Sequence, residues 1–262
     1  MSFNKENLSN IVNENNVNQL DFKDWIMSGD DCKDNLQKWL KFKTGKFPDP
    51  DVVLKQAASK CPCIADKLNW YTNNTEIKKY CIDCIFSVAT FYKAFLRYYT
   101  DNHKLNLKQI YENYDNLFSD NYKNNFCQKQ GIERDSLDEL LEQLNIFAKN
   151  THTLGNYMNC PDGNYNWIKG NYHKYKDRLE LLYKDIQDSS KKVYIWNNWF
   201  NDNKMKLELV NILENKELHN FTFNESKMGK EHIKPYTEYI NTINNIIEER
   251  GKALARKLSE NS

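Results

Sequence analysis

The chain has 262 residues, with 37 Lys+Arg against 36 Asp+Glu and a formal net charge of +1. Hydrophobic residues make up 40% and charged ones 28%, with only 8 Gly and 5 Pro, which excludes collagenous, low-complexity and wholly disordered classes. The length is ample for a real core, and the balanced charge argues against a surface that is one phosphate-binding field while leaving room for a local basic patch.

Residues 1–20 are polar and Asn-rich and are expected to fray, and a single helical domain is expected over 21–262, with a subdivision point near 120–135. From Phe22 to Phe42, Trp25, Leu36, Trp39, Leu40 and Phe42 recur at helical spacing. Thr44-Gly-Lys-Phe-Pro-Asp-Pro is a turn, Asp51 a candidate N-cap or first-turn acid for the helix after it, and Cys61-Pro-Cys63 an interruption of that helix. Ile77 to Tyr99 reads as one strong amphipathic helix dense in Phe and Tyr, and Leu105 to Phe118 as a shorter one. Asp135-Ser-Leu-Asp-Glu-Leu-Leu opens a helix to about Lys149, with Asp135 or Ser136 as its cap.

Residues 150–171, with Gly155, Pro161, Gly163 and Gly170, form an irregular Gly/Pro/Asn loop. Helical periodicity resumes over Tyr172–Ile186, Val193–Phe200 and Met205–Leu213. A last helix runs from about Pro235 to Leu258, with Ile240, Ile243, Ile247, Leu254 and Leu258 on one face. Strand-like alternation is confined to Phe221-Thr-Phe and the loop around Tyr157. The fold class expected is mainly α.

No apolar h-region follows the N-terminus. The longest apolar stretch, around Ile85 to Leu96, is broken by Ser87, Thr90 and Lys93 and falls short of the roughly 18–20 residues a membrane span needs. The chain is thus expected to be cytoplasmic, with no membrane partner. Seven cysteines, an odd count without a secretory signal, are expected to be reduced thiols rather than a disulfide scaffold.

Four features bear on chemistry. Cys61, Cys63, Cys81 and Cys84 have 17 residues between the two pairs, and four thiolates could hold a tetrahedral Zn²⁺, with Cys81 and Cys84 on one side of a helix. The preferred reading is that they are buried thiols, since free Cys packs as a small hydrophobe. Glu231-His232-Ile-Lys-Pro235 resembles the first His of an HNH nuclease, but no further His follows, and Pro235 at the first position of a helix explains the segment better.

In Asn150-Thr-His-Thr-Leu-Gly-Asn156, His152 and Asn156 either satisfy backbone groups left unpaired by a turn or line a polar site with Asn164, Lys169 and His173. The chain also carries 16 Tyr, 13 Phe and 6 Trp, interleaved with Lys in Tyr165-Asn-Trp-Ile-Lys-Gly-Asn-Tyr-His-Lys-Tyr-Lys. Lys169, Lys174 and Lys176 there would suit phosphates beside stacked bases, but aromatics at helical spacing with snorkelling Lys are more simply core.

The stretch Thr151-His-Thr-Leu-Gly-Asn156 resembles the THTIGN-type turn of a group of uncharacterised bacterial and phage-borne proteins. The Trp/Phe-rich run from Val193 and the terminal helix Tyr239-Ile-Asn-Thr-Ile-Asn-Asn-Ile-Ile-Glu-Glu-Arg-Gly-Lys-Ala-Leu fit the same pattern, so that the likeness covers about residues 140–258. A more distant likeness is to the HNH-type domain of Gmr-type modification-dependent restriction enzymes, where an HTLGNL stretch follows the His-x-x-Pro that carries the catalytic His. Residues 135–149 here contain neither His nor Pro, so the general base of that chemistry is missing. The first likeness implies a setting in bacteria–phage conflict. The second implies, at most, a degenerate nuclease relative.

The function expected from the sequence is therefore a non-enzymatic binding protein with a protein partner and no cofactor. The alternative is a nucleic-acid-processing protein whose site centres on His152, Asn156, Asn164 and His173, with His152 as base or metal ligand.

Overall fold

A computed structural model describes residues 32–41, 43–44, 80–84, 86, 88–101, 104–151, 153–161 and 228–259. Among these the fold is mainly α. Its helices are α1 (Asn35–Lys41), α2 (Val88–Thr100), α3 (Leu107–Glu112), α4 (Tyr114–Leu117), α5 (Asp120–Gln130), α6 (Arg134–Asn150) and α7 (Ile233–Ser259). Two short strands, β1 (Tyr80–Cys84) and β2 (Tyr157–Pro161), pair antiparallel. The expected helices at 172–186, 193–200 and 205–213, the alternation at Phe221 and most of the 22–42 segment lie outside the described residues.

The packing centre is α2. Its sequence places Val88, Phe91, Tyr92, Phe95, Leu96 and Tyr99, spaced three and four residues apart, out of water along one broad face of the helix. Burying each such side chain contributes about 1.5–3 kcal/mol. Phe91 meets Phe147 of α6 edge-on at 5.6 Å and lies 5.5 Å from Tyr239 of α7, while Tyr236 donates its hydroxyl to the Phe91 carbonyl at 2.6 Å. Helix α6 buries a stripe of Leu137, Leu140, Leu144 and Phe147. It packs along α7, whose stripe is Ile233, Tyr236, Ile240, Ile243 and Ile247. Asn244 of α7 donates to the Gln143 carbonyl at 3.0 Å, a polar tie within that helix pair.

Four expectations are corrected. The amphipathic helix over Ile77–Tyr99 divides into β1 and α2, which begins only at Val88, because residues 80–84 find a strand partner 70 or more residues away. The helix over Leu105–Phe118 divides at Asn113, which leaves helical geometry (φ −107°, ψ 18°) as its amide donates back to the Gln109 carbonyl at 3.0 Å. Helix α6 starts at Arg134, with Glu133 rather than Asp135 or Ser136 as its N-cap. Helix α7 starts at Ile233, so Pro235 is its third residue, where the first turn still requires no N–H.

Helix α5 falls in the span read as a subdivision point. It is polar, with only Phe126 and Cys127 buried. Its ends hold it: Ser119 accepts from the Tyr122 N–H at 3.3 Å, and Gly131 stops it in the left-handed conformation at φ 63°. Arg134 then staples α5 to α6, donating to Asp120 at 2.7 Å, Asn124 at 2.6 Å and Asp138 at 2.7 Å.

Candidate functional site

The Thr151–Asn156 turn follows directly from the end of α6. The Thr151 hydroxyl donates to the Phe147 carbonyl at 2.7 Å and the Thr153 hydroxyl to the Asn150 carbonyl at 2.8 Å. The same two carbonyls also accept the Thr151 and Thr153 N–H groups, at 2.8 and 3.1 Å, so each hydroxyl adds a second bond at the helix end. The Asn156 N–H then closes a 3-10 turn over Leu154–Asn156 by donating to the Thr153 carbonyl at 3.0 Å.

The Asn156 side chain is fully buried and bonded wholly to main chain. Its Oδ1 accepts the Phe86 N–H at 2.9 Å, and its Nδ2 donates to the Phe86 carbonyl at 2.9 Å and to the Thr151 carbonyl at 2.7 Å. Both amide hydrogens are thereby used.

Gly155 presses on α7. A Cβ there would lie 1.8 Å from the Ile247 carbonyl oxygen and 2.9 Å from the Gly251 nitrogen, so the close approach requires glycine. Its carbonyl accepts from Arg250 Nη1 at 2.5 Å. Arg250 is buried, and burial alone lowers its pKa to about 9. Desolvation of that charge is a cost, which the Gly155 bond offsets in part. The Thr151–Asn156 turn and α7 therefore form a single packed unit.

His152, Asn164, Lys169, His173, Lys174 and Lys176 lie outside the described residues, as do Cys61 and Cys63. Cys81 and Cys84 are on β1, not on a helix. In a strand, residues three apart belong to opposite faces, so the shared helical side expected of this pair does not exist. Among the described residues no group of three or more His, Cys, Asp and Glu could hold a metal ion. His232 serves a structural end: its Nδ1 accepts the Gly229 N–H at 2.9 Å at the entry to α7. A nitrogen that accepts carries no proton, so the 3.3 Å approach of Glu231 Oε1 to it is a contact between two acceptors rather than an ion pair.

A second feature, absent from the sequence reading, is an open cleft of about 370 Å³ between the start of α1, the α4 region and α6. Tyr114 forms its floor and donates to both oxygens of Asp34, each at 2.8 Å. Burial, followed by the neighbouring Tyr92 hydroxyl and the Asp34 carboxylate, holds the Tyr114 phenol far above its ordinary range, so it stays a donor. Asp34 also accepts the Gln37 N–H at 2.8 Å, and Asn145 Oδ1 accepts the Asn35 N–H at 2.9 Å, so the cleft wall caps α1. Around the mouth stand Lys33, paired with Asp115 at 2.7 Å, Lys123, paired with Asp138 at 3.2 Å, and the exposed Glu142. Its residues come from stretches 80 to 110 positions apart, so no local pattern marks it.

The arrangement offers a charged recess of both signs and a polar turn closed on itself. Among the described residues no helix is long and apolar enough to cross a membrane. Comparison with known proteins finds no matching family model, no matching curated protein and no matching solved structure.

Proposed function

We propose that the protein is a non-enzymatic binding protein with a protein partner, and that the family resemblance sets it in bacteria–phage conflict. The observation that carries this reading is the bonding of Asn156. All three of its side-chain hydrogen bonds go to main chain, at full burial, which makes the turn a clasp between the β1–α2 junction and the end of α6, and Gly155 adds the contact with α7. A residue that orients a catalytic base keeps a bond for the base or the substrate. The cleft lined by Lys33, Asp34, Tyr114 and Glu142 supports the same reading, because a rigid floor with charges of both signs at its rim suits recognition of a folded surface.

The test is affinity capture by the tagged full chain from cells in which it is expressed, set beside the Glu142→Lys and Lys33→Glu variants. A partner held by the wild type and weakened about tenfold by either charge reversal, a change of about 1.4 kcal/mol, supports the proposal. Metal-dependent cleavage of DNA or RNA by the purified chain, abolished by His152→Ala, overturns it in favour of the nucleic-acid-processing alternative.

A further inference from the structure

The ladder sets two cysteines in direct register. Its pairs run Tyr80 with Pro161, Cys81 with Cys160, Ile82 with Asn159, Asp83 with Met158 and Cys84 with Tyr157. Residues directly opposite in an antiparallel pair share one face, with Cα atoms about 4.5 or about 5.5 Å apart according to the type of pair. A disulfide spans Cα separations of about 4.4–6.8 Å, and the Cα spacing of either type of pair lies within that range. Cys84 belongs to the other face of β1 and has Tyr157 as its register partner. The register has a reason: the Asn156 amide holds both main-chain groups of Phe86 immediately beyond the Cys84–Tyr157 pair, at the end where β2 leaves the turn.

From this juxtaposition we propose that Cys81 and Cys160 are a thiol–disulfide pair, reversibly oxidised by a low-molecular-weight disulfide of the glutathione class. One of the two thiols loses its proton, and the thiolate attacks the small disulfide. A mixed disulfide forms, and one small thiolate leaves and takes up that proton. The second cysteine, as thiolate, attacks the protein sulfur of the mixed disulfide, which forms the Cys81–Cys160 bond and releases the second small thiolate, again protonated. The protein gives up two electrons and two protons in all, and the small disulfide becomes two thiols. The oxidised bond locks the strand that leads to α2 onto the strand that leaves the Thr151–Asn156 turn, and excess small thiol reopens it. The proposal is independent of the binding function.

The experiment equilibrates the native full chain in oxidised and reduced glutathione, alkylates the remaining thiols, and maps linked peptides by mass spectrometry without reduction. The expected product is the Cys81–Cys160 link, lighter by two hydrogens, at least ~10-fold more abundant than any other link to Cys81, because register gives that pair the higher effective concentration. The preference disappears in urea, the link persists in Cys84→Ser, and it is lost in Cys160→Ser. Wild-type mapping decides the matter even where a variant fails to fold. Equal or preferential linkage of Cys81 to Cys84 or to another cysteine overturns the proposal. So does the absence of any Cys81–Cys160 link under oxidising glutathione, or a bound zinc ion that shields both thiols from alkylation.

Discussion

The side chain of Asn156 bonds both the N–H and the carbonyl of Phe86, 70 residues earlier in the chain, at 2.9 Å each. One amide here does the work of a further pair in the ladder, and its third bond returns to Thr151. Asn156→Ala leaves three buried main-chain groups without these partners, and each such group costs about 1–3 kcal/mol. The expected loss is about 3–5 kcal/mol, read from urea unfolding of the variant and the wild type. Asn156→Asp keeps the acceptor but sets a carboxylate against two carbonyls. Its folded pKa is then raised above the unfolded value, so the variant is expected to be most stable at acid pH and to lose stability as pH rises through the folded pKa. A flat pH profile for the Asp variant would count against the bonding described.

Gly155 tests the contact with α7 independently. A methyl group there collides with the main chain of Ile247, which cannot swing aside as a side chain could. Gly155→Ala is expected to destabilise by about 3 kcal/mol or more and to weaken amide-exchange protection in α7 around Ile247. Protection equal to the wild type would place the turn away from the helix.

The Arg134 staple predicts a pH dependence. The Arg134 hydrogen bond, reinforced by its charge, holds the exposed Asp120 carboxyl below its usual range. A folded pKa below the unfolded one stabilises above the unfolded pKa, and that contribution is lost as pH falls through the folded value. In Arg134→Gln the Asp120 carboxyl is expected to titrate higher, near the ordinary carboxylate value, by NMR. The stability gap between variant and wild type should narrow at acid pH, where the carboxylate contacts are lost and the Asn124 bond is not.

Buried phenols set the alkaline limit. Burial, then the charge of Glu231, pushes Tyr98 up to about 12, and burial raises Tyr92, Tyr99, Tyr114 and Tyr236 further. Unfolded tyrosines ionise near pH 10, so stability is full below that value and falls as pH rises past it. A set of phenols is expected to stay neutral in the folded chain near pH 11 and to ionise together with loss of the helical circular-dichroism signal. Independent ionisation near pH 10 with helicity intact would contradict the packing around α2.

The sequence by itself determined the mainly α class and the two longest described helices. The apolar stripes of α6 and α7 recur at the period of a helix, and that pattern is complete within each segment. Helix α5 escaped notice because only two of its residues are buried, although Ser119 and Gly131 mark its ends. Strand β1 could not be read locally: Tyr80–Cys84 becomes a strand by pairing with Tyr157–Pro161, and nothing within five residues announces a partner so far away. The turn was legible as a motif, yet its role rests on Phe86, Ile247 and Arg250, which only folding brings to it. Periodicity is a property of neighbours along the chain, whereas a clasp, a cleft or a register pair is a property of segments distant in sequence, which only tertiary packing brings together.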